Sequence, residues 1–161
     1  MSGLAIIIEE KGLLAAARRL NALGRSGLVP ELLDSAGELI ADQTRRRLAS
    51  EKRSPDGKAW RPNRQGTSIL FRAGHLAGSI VSQVHGSEVR VGSNLVYAAI
   101  HQFGGRITPR DARALHFRVG KKEVFARAVT IPARPWLGLS ADNRDDLESV
   151  IEDWLEEVLA A

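Results

Sequence analysis

The sequence predicts an α+β fold: antiparallel β-hairpins forming a small sheet, packed against two N-terminal helices and a long acidic C-terminal helix. Three observations lead there. Leu147, Val150, Ile151, Trp154, Leu155, Val158 and Leu159 recur at i, i+3, i+4 spacing, which gives a helix one apolar stripe. Ile80–His85 and Glu88–Gly92 alternate apolar and polar residues around Gly86-Ser87, the pattern of a tight hairpin. Between residues 13 and 50 two helical stripes are separated by Gly24 and Pro30.

The elements follow in order. Leu4 to Ile8 is short and rich in β-branched residues and reads as a first strand. Leu13, Leu14, Ala17, Leu20 and Leu23 mark the first helix, which Gly24 closes because glycine accepts a left-handed backbone. Pro30 opens the second helix, where the first turn has no use for its missing N–H. Its stripe is Leu32, Leu33, Ala36, Leu39, Ile40 and Leu48, and it runs to about Ser50. Arg45, Arg46 and Arg47 sit in its last turns, where the helix dipole favours cations. Ser54-Pro55-Asp56-Gly57 is a turn, and Trp60 is the large apolar anchor of the segment around it. Leu70 to Ser79 reads as a short helix or turn before the first hairpin. Gly105 to Arg113, with a proline and three arginines, reads as a long exposed loop. Ala114–Val119 and Val124–Ile131 read as a second hairpin about Gly120-Lys121-Lys122-Glu123, ended by Pro132 and Pro135. Ser140 is the expected N-cap of the final helix. The whole of 1–161 reads as one domain with exposed basic loops near 51–68 and 105–113.

The net charge of +4 conceals two opposed halves. Residues 141–161 hold eight acids and one base, whereas the rest of the chain holds 22 bases and 11 acids. A basic body and an acidic tail can attract each other within or between chains. The densest basic region, residues 45–72, has nine bases against Glu51 and Asp56. Arg45, Arg46, Arg47, Lys52, Arg53, Arg61 and Arg64, with Arg106, Arg110 and Arg113, are the candidate contacts to DNA or an acidic partner. Cysteine is absent, which excludes disulfides, thiol catalysis and thiolate zinc sites and suits a reducing compartment. No apolar run is long enough to span a bilayer, and no secretory signal is evident, so a soluble protein made in the cytoplasm is expected.

Catalytic patterns are missing from the sequence. His75, His85, His101 and His116 lack the acid partners and helical spacing of a metal site, and no cofactor or metal is expected. Ser79 follows a glycine but lacks the second glycine of a nucleophile elbow. No glycine-rich loop leads into a helix with a following lysine. Ser93, Tyr97 and His101 lie close together, yet nothing acidic lies nearby to orient the imidazole. Tyr97 and His101 are four apart, a spacing that suits mutual packing on a helix. The chain also lacks the closely spaced strand aromatics that stack single-stranded bases.

Three stretches in this order carry a resemblance. They are Ser54–Trp60 (SPDGKAW), Val91–Gly105 (VGSNLVYAAIHQFGG) and Ile131–Ser140 (IPARPWLGLS), the last followed by an acidic helix. Together they resemble the phage virion morphogenesis family, which includes the G protein of Mu-like phages and tail-completion proteins of related tailed phages. The resemblance covers nearly the whole chain. It implies a non-enzymatic structural protein of virion assembly at the head–tail junction, a homo-oligomeric ring of six or twelve subunits around the DNA path. Its implied neighbours are portal, connector or tail-terminator proteins, with non-specific contact to duplex DNA in the channel. It implies a place in the virion after assembly in the host cytoplasm. The shared motifs fall on Tyr97, His101, Gln102, Phe103, Gly104 and Gly105, and on Pro132, Arg134, Pro135 and Trp136, expected as fold and interface positions. Two alternatives stand beside it: a basic nucleic-acid-binding protein that forms no ring, and a small hydrolase or nuclease using His101 or His116.

Overall fold

A computed structural model describes residues 4–7, 11–63 and 66–160. The fold is α+β. Strand β1 (Leu4–Ile7) is followed by helix α1 (Lys11–Ala22), a 3-10 turn at Ser26–Leu28 and helix α2 (Val29–Arg46). Gly24 adopts φ 71°, the left-handed turn expected after the first helix. Proline lies in the first turn of α2, as expected. The side chains of Leu13 and Leu14 and the structure of Ile8 lie outside the described residues.

The central sheet has the order β1–β3–β2 and is antiparallel throughout. The single-turn helix α3 (His75–Gly78), within the stretch expected as a short helix or turn, leads into strand β2 (Ile80–His85), which forms the predicted hairpin with β3 (Glu88–Ser93), His85 opposite Glu88 and Ile80 opposite Ser93. β1 covers the other edge of β3, pairing Leu4 with Ser93 and Ile7 with Arg90. Alternation sends Ile80, Val89 and Val91 to one face, where all three are buried. α2 lies across that face. The approach is close because residue 37 is glycine: a Cβ there would stand 2.5 Å from Val89 Cγ2 and 3.0 Å from Ser82 Cβ.

The final helix α5 (Ala141–Ala160) packs on α2 and α1 rather than on the sheet. Leu147, Ile151 and Leu155 are its buried apolar residues, at the predicted spacing. The core joins these to Leu20, Leu32, Ile40, Leu48 and Trp136, each almost inaccessible to water. Ser140 caps α5 as predicted: its Oγ accepts the Asn143 N–H at 3.2 Å.

Three expectations need correction. The second helix does not stay α-helical to Ser50; it widens into a π-turn over Arg47–Glu51 and ends at Lys52 in a left-handed conformation. A single widened turn is paid for by local packing, here the burial of Arg47 and Leu48, and no residue pattern announces it. The stretch from Gly105 is not all loop, since β4 (Gly105–Ile107) is a strand. The returning segment is not one strand either: β6 (Lys122–Ala126) pairs with β5 (Leu115–Val119), and β7 (Val129–Ile131) pairs with β4. Gly105 stands opposite Ile131 and Leu115 opposite Ala126, with residues 108–114 bulging between the two ladders. The outcome is one two-stranded arm from Gly105 to Ile131, in which no side chain is buried.

Candidate functional site

The three diagnostic stretches meet at one place. Helix α4 (Ala98–Phe103) follows the turn after β3 and is only six residues long, so its own backbone bonds hold it weakly. Segment 132–138 runs alongside and ties it down. The Gln102 Oε1 accepts the N–H groups of Trp136 at 2.8 Å and Leu137 at 3.0 Å, and Nε2 donates to Leu137 O at 3.0 Å. One side-chain amide thereby satisfies three backbone groups of an irregular segment that has no ladder of its own. Trp136, fully buried, donates its indole N–H to Ala98 O at 3.2 Å. The Arg134 N–H donates to His101 O at 2.8 Å.

The turn at Ser54–Gly57 joins from the other side. Gly57 N–H donates to Ser54 O at 2.8 Å, and Gly57 takes φ 82°. Lys58 and Ser54 hydrogen-bond the Asp56 carboxylate and draw its pKa down to about 2. Trp60 is the buried anchor that its isolation in the sequence suggested, and its indole donates to Pro135 O at 2.9 Å. Arg134 donates from Nε to Arg61 O at 3.0 Å. Gly104 closes α4 at φ 69°, and a Cβ there would lie 2.6 Å from the Ala133 amide nitrogen. The glycine is thus fixed twice, by backbone angle and by the proximity of the segment it binds.

Arg47 braces this knot from below. It was expected among the cations facing DNA or a partner, and the structure places it in the interior with 1% exposure. Its guanidinium donates to Gly138 O at 2.8 Å, to Trp136 O at 3.3 Å and to Asn143 Oδ1. Burial lowers its pKa, and Glu51, 3.9 Å away, partly offsets that. The sequence held the signal: Arg47 continues the inward row Leu33, Gly37, Ile40, Thr44 at three- and four-residue steps.

The other candidate cations differ among themselves. Arg45 is half-buried and bonded to Asp42 at 2.5 Å and Ile80 O at 2.7 Å. Lys52 donates to Leu48 O and Ile69 O and lies 4.8 Å over the Phe71 ring. Arg46, Arg53, Arg61, Arg106, Arg110 and Arg113 are exposed, and Arg64 lies outside the described residues.

Beside the knot is a cavity of about 470 Å³ between residues 63–76 and α4. Tyr97, His101 and Arg134 line it from one side, Arg72 and His75 from the other. Tyr97 and His101 meet edge to face at 5.9 Å, the mutual packing that their spacing predicted. The His101 Nδ1 is buried without a hydrogen-bond partner among the described residues. Its pKa is lowered by burial and then by the Arg134 charge, so the imidazole is neutral at neutral pH. Arg134 is 7% exposed, and burial lowers its pKa without an offsetting carboxylate. Leu70 and Ala73, at φ 53° and 56°, hold the far wall in a strained turn. The cavity's described lining includes donors and positive charge but no carboxylate, so it offers His101 no acid to orient it for base catalysis. The sequence did not single out Arg72 or His75, which reach the cavity only through the turn at 70–74. Phe103, in contrast, points outward and is 68% exposed. Among the described residues no group of acids and histidines is placed to hold a metal, and no helix is long and apolar enough to cross a membrane.

A short helix locked to an irregular segment by side-chain and backbone hydrogen bonds defines a structural motif. The model of the phage virion morphogenesis family matches residues 8–156, and the chain belongs to that family. Its relatives include the Mu-like prophage FluMu G protein 2 of Haemophilus influenzae, 37% identical over 93 residues, which are 58% of this chain and 55% of that protein. They also include the putative capsid assembly protein G of Escherichia phage Mu, 26% identical over 155 residues, 91% of this chain and 90% of the relative. The match to the Haemophilus protein thus spans little more than half of that relative's length, whereas the match to the phage Mu protein is nearly end to end. No solved structure matches the chain significantly.

Proposed function

We propose that this chain is a structural component of the phage head–tail junction, a neck or tail-completion protein acting as a homo-oligomeric ring around the DNA path. The observation that carries the reading is the family match over residues 8–156, joined to a nearly end-to-end match with a relative whose name reads putative capsid assembly protein G. The geometry supports it: the motif residues Gln102, Arg134 and Trp136 direct side-chain polar groups to backbone, not to a reaction centre. A ring needs one heterologous pair of surfaces that closes on itself. The exposed cations Arg106, Arg110 and Arg113 suit diffuse contact with duplex DNA, which positions without reading sequence. Assembly in the host cytoplasm and a ring of six or twelve subunits belong to the same proposal, as do portal, connector or terminator proteins as neighbours.

Size-exclusion chromatography with light scattering and electron microscopy of the particle's head–tail joint test it together. A closed oligomer and density at the joint are expected. A monomer at high concentration, with the chain missing from purified particles, would sink the ring. Tight duplex binding by that monomer, falling steeply with salt, would favour the second reading of a basic nucleic-acid-binding protein.

A further inference from the structure

We propose that the two-stranded arm, residues 105–131, docks on helix α5 of a second copy of this chain. The contact rests on the ring reading above and names the two surfaces that would close it.

The arm is an unpartnered ribbon. From Gly105 to Ile131 no side chain is buried, and its strands pack chiefly on each other. The register sets Leu115 opposite Ala126 and Phe117 opposite Val124, so one face of β5–β6 is apolar. The other face carries Phe125, 68% exposed and stacked on His116 at 4.6 Å. An isolated two-stranded ribbon is marginal in water, and an apolar face on one calls for a cover.

Charge identifies the cover. The arm has seven Lys and Arg against Asp111 and Glu123, and Glu123 is already shared by Arg118 and His116. α5 has eight carboxylates and one base. Among the described residues none of those carboxylates is in an ion pair with another described residue; Asp146 accepts a hydrogen bond from Gln43. The helix also offers an apolar strip. Val150 is 42% exposed, and Trp154 and Val158 follow it at four-residue steps, both half-buried. Asp153 and Glu157, exposed, flank that strip. On the arm, Lys122 lies opposite Val119, beside the apolar row, and Lys121 is next to it at the tip. Apolar face meets apolar strip, and a cationic tip meets carboxylates. DNA would satisfy the arm's charge but leave its apolar face and the exposed acidic face of α5 without a partner. Arm and helix are different surfaces, so the contact is head-to-tail and repeats from copy to copy.

Charge reversal tests the pairing. One chain carries Lys121→Glu and Lys122→Glu, another Asp153→Lys and Glu157→Lys, and a third carries all four. These positions are exposed, and circular dichroism checks that each variant folds with an unchanged melting temperature. Light scattering then reads the assembly state. Each two-site variant alone is expected to self-associate at least about tenfold more weakly than wild type. An equimolar mixture of the two recovers assembly, because every arm then meets a helix of opposite sign, and the four-site chain recovers it unaided. Wild-type assembly with no effect of reversal, or loss without recovery in mixture and four-site chain, would overturn this contact and leave the ring standing. A wild type that never assembles would overturn both. Retained assembly with weakened duplex binding in the arm variant would assign the arm to DNA instead.

Discussion

Gln102 concentrates the logic of the motif in one side chain. Its amide accepts two backbone N–H groups and returns one donor to the same segment. Replacing it with alanine strips three bonds and leaves the partly buried amides of Trp136 and Leu137 unsatisfied. An unmade buried bond costs about 1–3 kcal/mol, and these three share one segment, so Gln102→Ala is expected to destabilise the fold by about 2–4 kcal/mol. Denaturant unfolding of the monomeric form measures it, and a loss under about 1 kcal/mol would mean that Trp136 alone fixes the segment. The residue scale is also where the sequence was least legible. Gln102 was marked only by resemblance, since glutamine before phenylalanine says nothing of two amides 34 and 35 residues away. Arg47 was read by its type, as a cation near a helix end, and its place on the inward row was overlooked. A guanidinium can be buried when backbone carbonyls and an Asn oxygen take its donors, and composition carries no trace of that.

Elements were more legible, because periodicity reports directly on which face is covered. The hairpin of β2 and β3, the two N-terminal helices and α5 all follow from alternation or from i, i+3, i+4 spacing. The arm was half legible: its tip hairpin is alternating, but a three-residue strand such as β4 has too few positions to show a period. Its pairing with β7 depends on the chain returning across the bulge at 108–114. Helix–sheet spacing was not legible either. Gly37 interrupts a good helix and costs it intrinsic stability, about 1 kcal/mol relative to alanine. The gain is the close approach of α2 to Val89 and Ser82. Gly37→Ala is therefore expected to destabilise, despite alanine's better propensity, by about 1–3 kcal/mol from overpacking. Thermal and urea unfolding supply the check; a stabilised variant would show that Val89 can move aside.

At the scale of the whole molecule, the chain divides into a body that buries its side chains and an arm that buries none. The body contains the motif knot, so family resemblance and fold stability describe the same residues. The arm is tied to the body through β4 and β7, which enter and leave beside Gly104 and Pro132. Stability and assembly should then be separable by one change. Replacing residues 108–128 with an Asn-Gly turn would join Ile107 to Val129 as a two-residue hairpin, a length suited to tight antiparallel connections. Because no buried contact is removed, the body is expected to keep its stability within about 1 kcal/mol. Self-association should fall to the monomer at concentrations where wild type assembles. Urea unfolding and light scattering on the same samples read both quantities. Unfolding of the shortened chain would show that the body depends on the arm, and intact assembly would move the subunit contact elsewhere. Stability kept and assembly lost is the expected result, since the arm adds no buried side chain to the body and, in the contact proposed above, packs on a second copy.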